Sequence, residues 1–574
     1  MKRYCSLILA ILISFICICS ASATQPIIAD DSIYKPVSAK NGMVVTGDNL
    51  AAKEALKVLK EGGNAIDAAV AAGFVMAVTM PRAGNIGGGG FMLIYSAKEG
   101  RVVAIDYRER APLNASRDMF IDKDGNADNE LSRFSHLSAG VPGTVAGFAL
   151  ALEKYGTLSL KEVLGPAIKY AKKGFIVSEA LAEDIKRASE RLKKWPATAK
   201  IFFKKDGSYY ESGDRFIQKD LAKTLTMIAK KGAKGFYEGP LADLIVEEME
   251  REGGLITKAD LLSYKPRIRA PVRGNYRGYD IYSMPPPSSG GTHLIQIMNI
   301  LEGYKLRKWG HNSAGTIHHM AEGMKFAYAD RSEYLGDPDF YEMPINAILS
   351  KVYSNNLRKK ISNKKANPSR NIAPGELAPY ESDETTHYVV ADNAGNVVSN
   401  TYTINFSFGS GIVVPGAGFL LNNEMDDFSA KPGVPNAYGL IGGEVNKIEA
   451  KKRMLSSMSP TIVLKGGKPF LATGSPGGSR IITTTLQVIL NVIDHGMNIQ
   501  EAVNAPRVHH QWLPDELRVE KGLSPDTVKL LEQKGHKVLI KRSMGAASSI
   551  MIDNETGLFY GAADPRREGL AKGY

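Results

Sequence analysis

Apolar positions in the 574-residue chain first repeat with a helical period in "NLAAKEALKVLKEGGNAIDAAVAAGFVMAVTMP". Apolar residues three and four apart share one helix face, and the Gly-Gly-Asn break divides the stretch into two packed helices. "GNIGGGGFMLIYS" then leads into a strand. Residues 140–265 are mostly helical by pattern, interrupted by "FFKKDGSYYESGDRF", where Asp206-Gly207 marks a hairpin. "YSMPPPSSGGTH" reads as a loop, and "AGTIHHMAEGMKFAYADRSEYL" returns to helix. From about 353 to 384 the chain is polar, rich in Pro and Asn and without periodicity, which predicts a mobile surface segment. At Thr385 the pattern changes to strands: "THYVVAD" and "VVSNTYTIN" flank "NAGN", a hairpin signature. "MSPTIVLK" and "PFLATG" predict further strands, and "RIITTTLQVILNVIDHG" a helix. No fixed-period repeat is present. Strands bracketed by many helices predict a layered α/β protein, sheets inside and helices outside.

Composition changes this picture mainly at the N-terminus. Hydrophobic content of 44% and charged content of 23% suit a soluble globular enzyme. "MKRYCSLILAILISFICICSASATQP" has a basic start, a short apolar run and a small-x-small site, the pattern of a secretory signal peptide over residues 1–23, cut after Ala23. The apolar run is shorter than the ~20 residues that span a bilayer, so no stable membrane insertion is expected once it is removed. Cys5, Cys17 and Cys19 all lie within it, so the mature chain has no disulfide and no thiol nucleophile. Export to the periplasm or beyond follows. The net charge of +12 falls to +10 without Lys2 and Arg3. Such a surface favours anionic small substrates; the scattered lysines, without interleaved aromatics, argue against nucleic acid.

Several familiar patterns fail on inspection. "GNIGGGG" precedes a strand and lacks Gly-Lys-Ser/Thr, so it is no phosphate loop. In "DKDGNADNE" the glycine comes too early for a calcium loop, and a turn at Asp124-Gly125 is expected instead. The pairs His318-His319 and His509-His510 are adjacent in sequence and do not share a face, so no metal and no cofactor is expected. No Gly-x-Ser-x-Gly elbow is present.

The join between the polar segment and the strands, "ESDETTHYVV", is chemically suggestive. A threonine hydroxyl needs a base, and an N-terminal threonine carries its own in the α-amino group. That chemistry requires cleavage before Thr385. Taken alone, Thr-Thr is also what a strand start commonly carries. Downstream parts tip the balance: Thr403 and Asn405 on alternate positions of a strand, Glu424 and Asp427 three apart on a turn, the Ser456-Ser457 pair, and Gly477-Gly478, whose backbone N–H groups suit an oxyanion hole.

With these motifs, and with "GNAIDAAVA", "DYRERAP", "GVPG", "MPPPSSGG", "YADRSEYLGD", "DETTHY", "LNNEMDDF", "SSMSPTIV", "TGSPGGSRI", "NAPRVHHQWLPDEL" and "GAADPR" in order along the mature chain, the sequence resembles the γ-glutamyltranspeptidase family of N-terminal-nucleophile hydrolases. The resemblance implies self-cleavage between Glu384 and Thr385 into a large subunit, 24–384, and a small one, 385–574, sharing one αββα sandwich. It implies that Thr385 takes the γ-glutamyl group from glutathione or a related amide and passes it to water or to an amino acid or peptide. It further implies that Thr403 orients Thr385, that Arg108, Ser456 and Ser457 bind the donor's α-carboxylate, and that Asn405, Glu424 and Asp427 hold its α-ammonium. Gly477 and Gly478 would bind the oxyanion, and Tyr438 would gate the site from a lid loop. The alternatives are an amidase of the same fold, such as a cephalosporin acylase or a poly-γ-glutamate enzyme, and an uncleaved binding protein.

Overall fold

The computed structural model describes residues 32–373, 385–431 and 442–574. Fourteen strands, numbered in chain order, build its centre: β1 (Val37–Ala39), β2 (Gly42–Thr46), β3 (Gly89–Ser96), β4 (Arg101–Asp106), β5 (Arg267–Arg269), β6 (Val272–Tyr276), β7 (Tyr279–Ser283), β8 (Thr386–Asp392), β9 (Val397–Thr403), β10 (Thr461–Lys465), β11 (Lys468–Gly474), β12 (Ser548–Ile552), β13 (Phe559–Ala563) and β14 (Leu570–Gly573). They form two antiparallel seven-stranded sheets, in the orders β14-β2-β8-β9-β3-β4-β5 and β1-β13-β12-β11-β10-β7-β6. The hairpin expected around "NAGN" is β8-β9, with Val389 opposite Ser399.

Side chains alternate across each strand, and here both faces are covered, so the strands read as continuous apolar runs. Met43, Val45, Phe91, Leu93, Val389 and Ala391 meet Ile462, Leu464, Ala472 and Ile550 of the other sheet. Their neighbours Val44, Met92, Ile94, Val390 and Val398 face the opposite way, into a helical layer containing α1 (Ala65–Thr79). On the far side, Val463, Leu471 and Met551 pack under α2 (Gly290–Leu301), α3 (Ala314–Tyr334) and α4 (Arg480–Ile493). The result is the expected αββα sandwich.

Three local expectations need amendment. The segment from 353 begins inside a helix, Lys351–Lys359, which Ser350 caps and Leu357 anchors by burial; its polar face hides the period. At Asp206-Gly207 the turn is closed by a single bridge, Phe203↔Tyr209, instead of a strand pair. Asn405 does not continue β9: the strand ends at Thr403, opposite Gly89 on β3, and Asn405 adopts φ +70°, a left-handed conformation that asparagine tolerates better than most residues. The turn expected at Asp124-Gly125 is present, with Gly125 at φ +79°.

Candidate active site

The site is built where β8 starts. Thr386 pairs with Tyr402, so the antiparallel register sets Thr385 beside Thr403 at the end of β9. Thr385 is 4% exposed, and Arg567 donates to its carbonyl at 3.4 Å. The glycine run before β3 permits this closure: a Cβ on Gly88 would lie 2.0 Å from the Thr403 carbonyl oxygen. Thr403 Oγ1 accepts the Asn405 amide at 2.8 Å. Asn405 Nδ2 in turn donates to the Asn423 carbonyl at 3.0 Å.

Thr385 lines a partly open cavity. Its lining gathers Arg108, Thr403, Asn405, Glu424, Asp427, Ser456, Ser457 and Gly478 from the sequence-predicted set. Gly477 precedes this wall by one residue. Its φ of +131° and the +53° of Gly478 demand glycine. The two lie just before α4, whose N-terminus carries partial positive charge toward the site. Glu384 and Tyr438 lie outside the described residues, as does the leader.

The charged wall has an arrangement that spacing alone did not reveal. Glu424 and Asp427 occupy one 3-10 turn, and both are bound to Arg108: Glu424 through a short contact to Nη1, Asp427 at 2.5 Å from Nη2. Arg108 Nε donates to the Met454 carbonyl at 3.2 Å. Glu109 Oε2 stands 3.7 Å from Arg108, and neither Glu109 oxygen has a hydrogen-bond partner. Burial pushes the Glu109 carboxyl up to about 7, although Arg108 pulls it down. Burial also raises Glu424 and Asp427, against the pull of Arg108. Burial works against the Arg108 cation, but the three carboxylates outweigh it and keep the guanidinium charged. A cluster with three acids around one arginine is ready to accept another cation.

The serine wall comes from two distant segments. Ser456 receives its amide bond from the loop that read as "MPPPSSGG", its N–H donating to the Pro287 carbonyl at 2.9 Å, while Ser289 Oγ donates to the Ser456 carbonyl at 2.7 Å. Sequence reasoning missed Arg331, Leu455, Met458, Ser479 and Ile481, which also line the cavity. Arg331 lies in the quoted stretch "YADRSEYLGD", where its position inside a helix with no other clue gave it no role.

A family model described as gamma-glutamyltranspeptidase matches residues 51–574. The chain belongs to the γ-glutamyltranspeptidase family. The glutathione hydrolase proenzyme of Escherichia coli strain K12 is 57% identical over 546 residues, covering 95% of this chain and 94% of that one. The acylase ACY 1 proenzyme of Pseudomonas sp. strain SE83 is 38% identical and covers 96% and 97%. Among solved structures, the cephalosporin acylase from Bacillus halodurans superposes with a TM-score of 0.85 at 30% identity, over 95% of this chain and 97% of that one. The γ-glutamyltranspeptidase from Helicobacter pylori gives 0.57 at 49% identity, over 61% and 97%. This family member is therefore an enzyme of the self-cleaving N-terminal-nucleophile type. Acylases thus share this fold. No helix among the described residues is long and apolar enough to cross a membrane.

Proposed function

We propose that the cavity at Thr385 is the donor site for self-processed γ-glutamyl transfer, from glutathione-like compounds to water or to an amino-acid or peptide acceptor. One observation carries the assignment of residues: a buried nucleophile faces an arginine, two bound carboxylates and two serines across one cavity. That lining suits a group bearing both an α-ammonium and an α-carboxylate. A plain acyl chain would leave the wall's surplus negative charge unmatched, because one arginine faces both Glu424 and Asp427.

In the precursor, Thr385 Oγ1 attacks the Glu384 carbonyl, and hydrolysis of the resulting ester frees subunits 24–384 and 385–574. The released α-amino group, with an ordinary pKa near 7.7–8.0, then serves as base at neutral pH. Thr385 attacks the γ-carbonyl, the N–H groups of Gly477 and Gly478 hold the oxyanion, and the amine departs. Water or an acceptor amine resolves the γ-glutamyl ester. Thr403 orients the nucleophile, Ser456, Ser457 and Arg108 take the carboxylate, and Asn405, Glu424 and Asp427 take the ammonium. Tyr438 closes the site as a lid. The leader pattern at 1–23 supports export, with action in the periplasm or outside the cell.

The test is a denaturing gel with N-terminal sequencing, followed by turnover of γ-glutamyl and glutaryl anilides. Wild type yields a fragment beginning Thr-Thr-His-Tyr and prefers the γ-glutamyl donor; Thr385→Ala stays whole and inactive. A single wild-type chain, or equal use of both anilides, would overturn the assignment.

A further inference from the structure

The roles above leave Arg331 unused, although it lines the same cavity. It lies on α3 and is 5% exposed. Its hydrogen-bond partners are hydroxyls: Nε donates to Ser289 Oγ at 2.9 Å and Nη2 to Ser457 Oγ at 3.4 Å. Among the described residues it forms no ion pair, whereas Arg108 nearby is tied to two carboxylates. An unpaired buried guanidinium is unfavourable unless an anion arrives. Desolvation already lowers its pKa to about 10, with Tyr328 and Asp427 opposing and Arg108 adding to the drop.

The serines show what this cation does. Ser289 spends its hydrogen on the Ser456 carbonyl, so it accepts from Arg331. Ser457 Oγ likewise accepts from Arg331, which leaves its own hydrogen to be donated, and among the described residues that hydrogen has no acceptor. A donor carboxylate must also enter beside Glu109, Glu424 and Asp427, three acids that Arg108 alone does not balance.

We propose that Arg331 is a positioning residue for the donor's α-carboxylate, turning Ser457 into a hydrogen-bond donor toward the cavity and supplying the second buried positive charge there. The inference rests on reading Ser456, Ser457 and Arg108 as the carboxylate end of the site.

The test compares γ-glutamyl-4-nitroanilide with 4-aminobutyryl-4-nitroanilide, which lacks only the α-carboxylate. In processed enzyme, Arg331→Gln should raise KM for the γ-glutamyl donor about 10- to 100-fold, the range of a lost hydrogen bond to a charged group. Its kcat should change less than about threefold, and kcat/KM for the aminobutyryl donor should stay within about threefold. Arg331→Lys keeps the charge without the planar fork and should show a smaller rise, selective for the same donor. Equal losses on both donors, in either variant, would make the role merely structural, and unchanged KM in both variants would remove it. If Arg331→Gln fails to process, the lysine variant alone decides by the same criterion. The underlying reading fails separately: wild type would then show no preference between the two anilides. A wild type that prefers the γ-glutamyl donor, with variants that keep the full preference, overturns only the Arg331 inference.

Discussion

Helix α3 serves two buried polar clusters that differ in how their charges end. Toward the cavity, Arg331 meets only hydroxyls, and the carboxylates of Glu109 and Glu424 keep oxygens without hydrogen-bond partners. On its other side, Glu322 accepts from Lys325 Nζ at 3.0 Å and from Asn367 Nδ2 at 2.7 Å. Lys325 also donates to the Asn367 carbonyl at 2.7 Å. Both clusters are dehydrated, so burial of charge alone does not mark a site. The first holds unmet electrostatic demand against a cavity; the second meets its demand internally and ties α3 to the segment around 367. The contrast predicts that substitutions in the first change activity, and those in the second change stability.

Arg108→Gln is the strongest test. It removes the guanidinium that would hold the donor's α-carboxylate and should lower kcat/KM for a γ-glutamyl anilide by about 10²- to 10³-fold, within the 2–5 kcal/mol typical of truncating one partner of a buried charged contact to a ligand. Steady-state kinetics on processed enzyme measure it; a loss below tenfold would contradict the assigned role. Glu322→Gln should do the reverse, lowering unfolding stability by about 2 kcal/mol, because Lys325 loses its buried counter-charge and keeps only the Asn367 carbonyl and the half-exposed Asp515 at 3.6 Å. Calorimetry and kinetics together decide: a kcat/KM loss beyond about threefold in folded enzyme would erase the contrast.

Glu424→Gln is milder, since a neutral amide can still accept from the substrate ammonium. KM for the donor should rise about tenfold with little change in kcat, and equal losses in both would reject the ammonium role. Glu109 tests the electrostatics through pH. Burial raises it in the folded state to about 7 from an ordinary carboxyl value of 4.5, so between these limits the folded state binds a proton that the unfolded state lacks. Stability from this group therefore rises as pH falls from about 7 to about 4.5, by less than about 1.4 kcal/mol per pH unit for one proton. Glu109→Gln should remove that component of the pH slope in denaturant melts. An unchanged slope would show that Glu109 is ionised throughout.

Much of the candidate site was legible because adjacent motifs carry it. The β8-β9 hairpin has turn chemistry at its centre and apolar strands on both sides, and Thr385 stands at its edge. Glu424 and Asp427 share a turn, and their spacing said so. What sequence did not disclose were the pairings across the chain. Arg108 is 316 residues from Glu424, and nothing local says that the expected carboxylate and ammonium holders bind each other before substrate arrives. Arg331 was hidden for a related reason: a charged residue on a helix usually faces water, and only the packing of α3 turns this one inward. Asn405 was misplaced because alternation was carried past the point where the partner strand ends.

The smallest effect concerns His318, Glu322 and His536, whose ligand atoms lie within 4.8 Å of one another, close enough to suggest a metal. His536 comes from a segment far along the chain from the adjacent His318-His319 pair. The bonds favour a different reading. His318 Nε2 donates to the Ser362 carbonyl at 2.6 Å, so its Nδ1 accepts from His536 Nε2 at 2.8 Å. Tetrahedral zinc with bonds of about 2.0–2.1 Å would spread those nitrogens to about 3.3 Å and require the His536 proton to move to Nδ1. Lys325 at 3.0 Å from Glu322 adds repulsion to any arriving cation. Burial lowers the His318 pKa to about 4 and that of His536 to about 2, which keeps both rings neutral and the hydrogen bond between them intact at neutral pH. Added Zn²⁺ in tenfold excess should therefore leave the Tm within about 1 °C, while a ligand that binds the native state at 100 times its Kd would add about 2.7 kcal/mol. A clear zinc-dependent rise, abolished in His536→Asn, would mean that this cluster also holds unmet demand, and that cavity contact alone no longer separates the working cluster from the structural one.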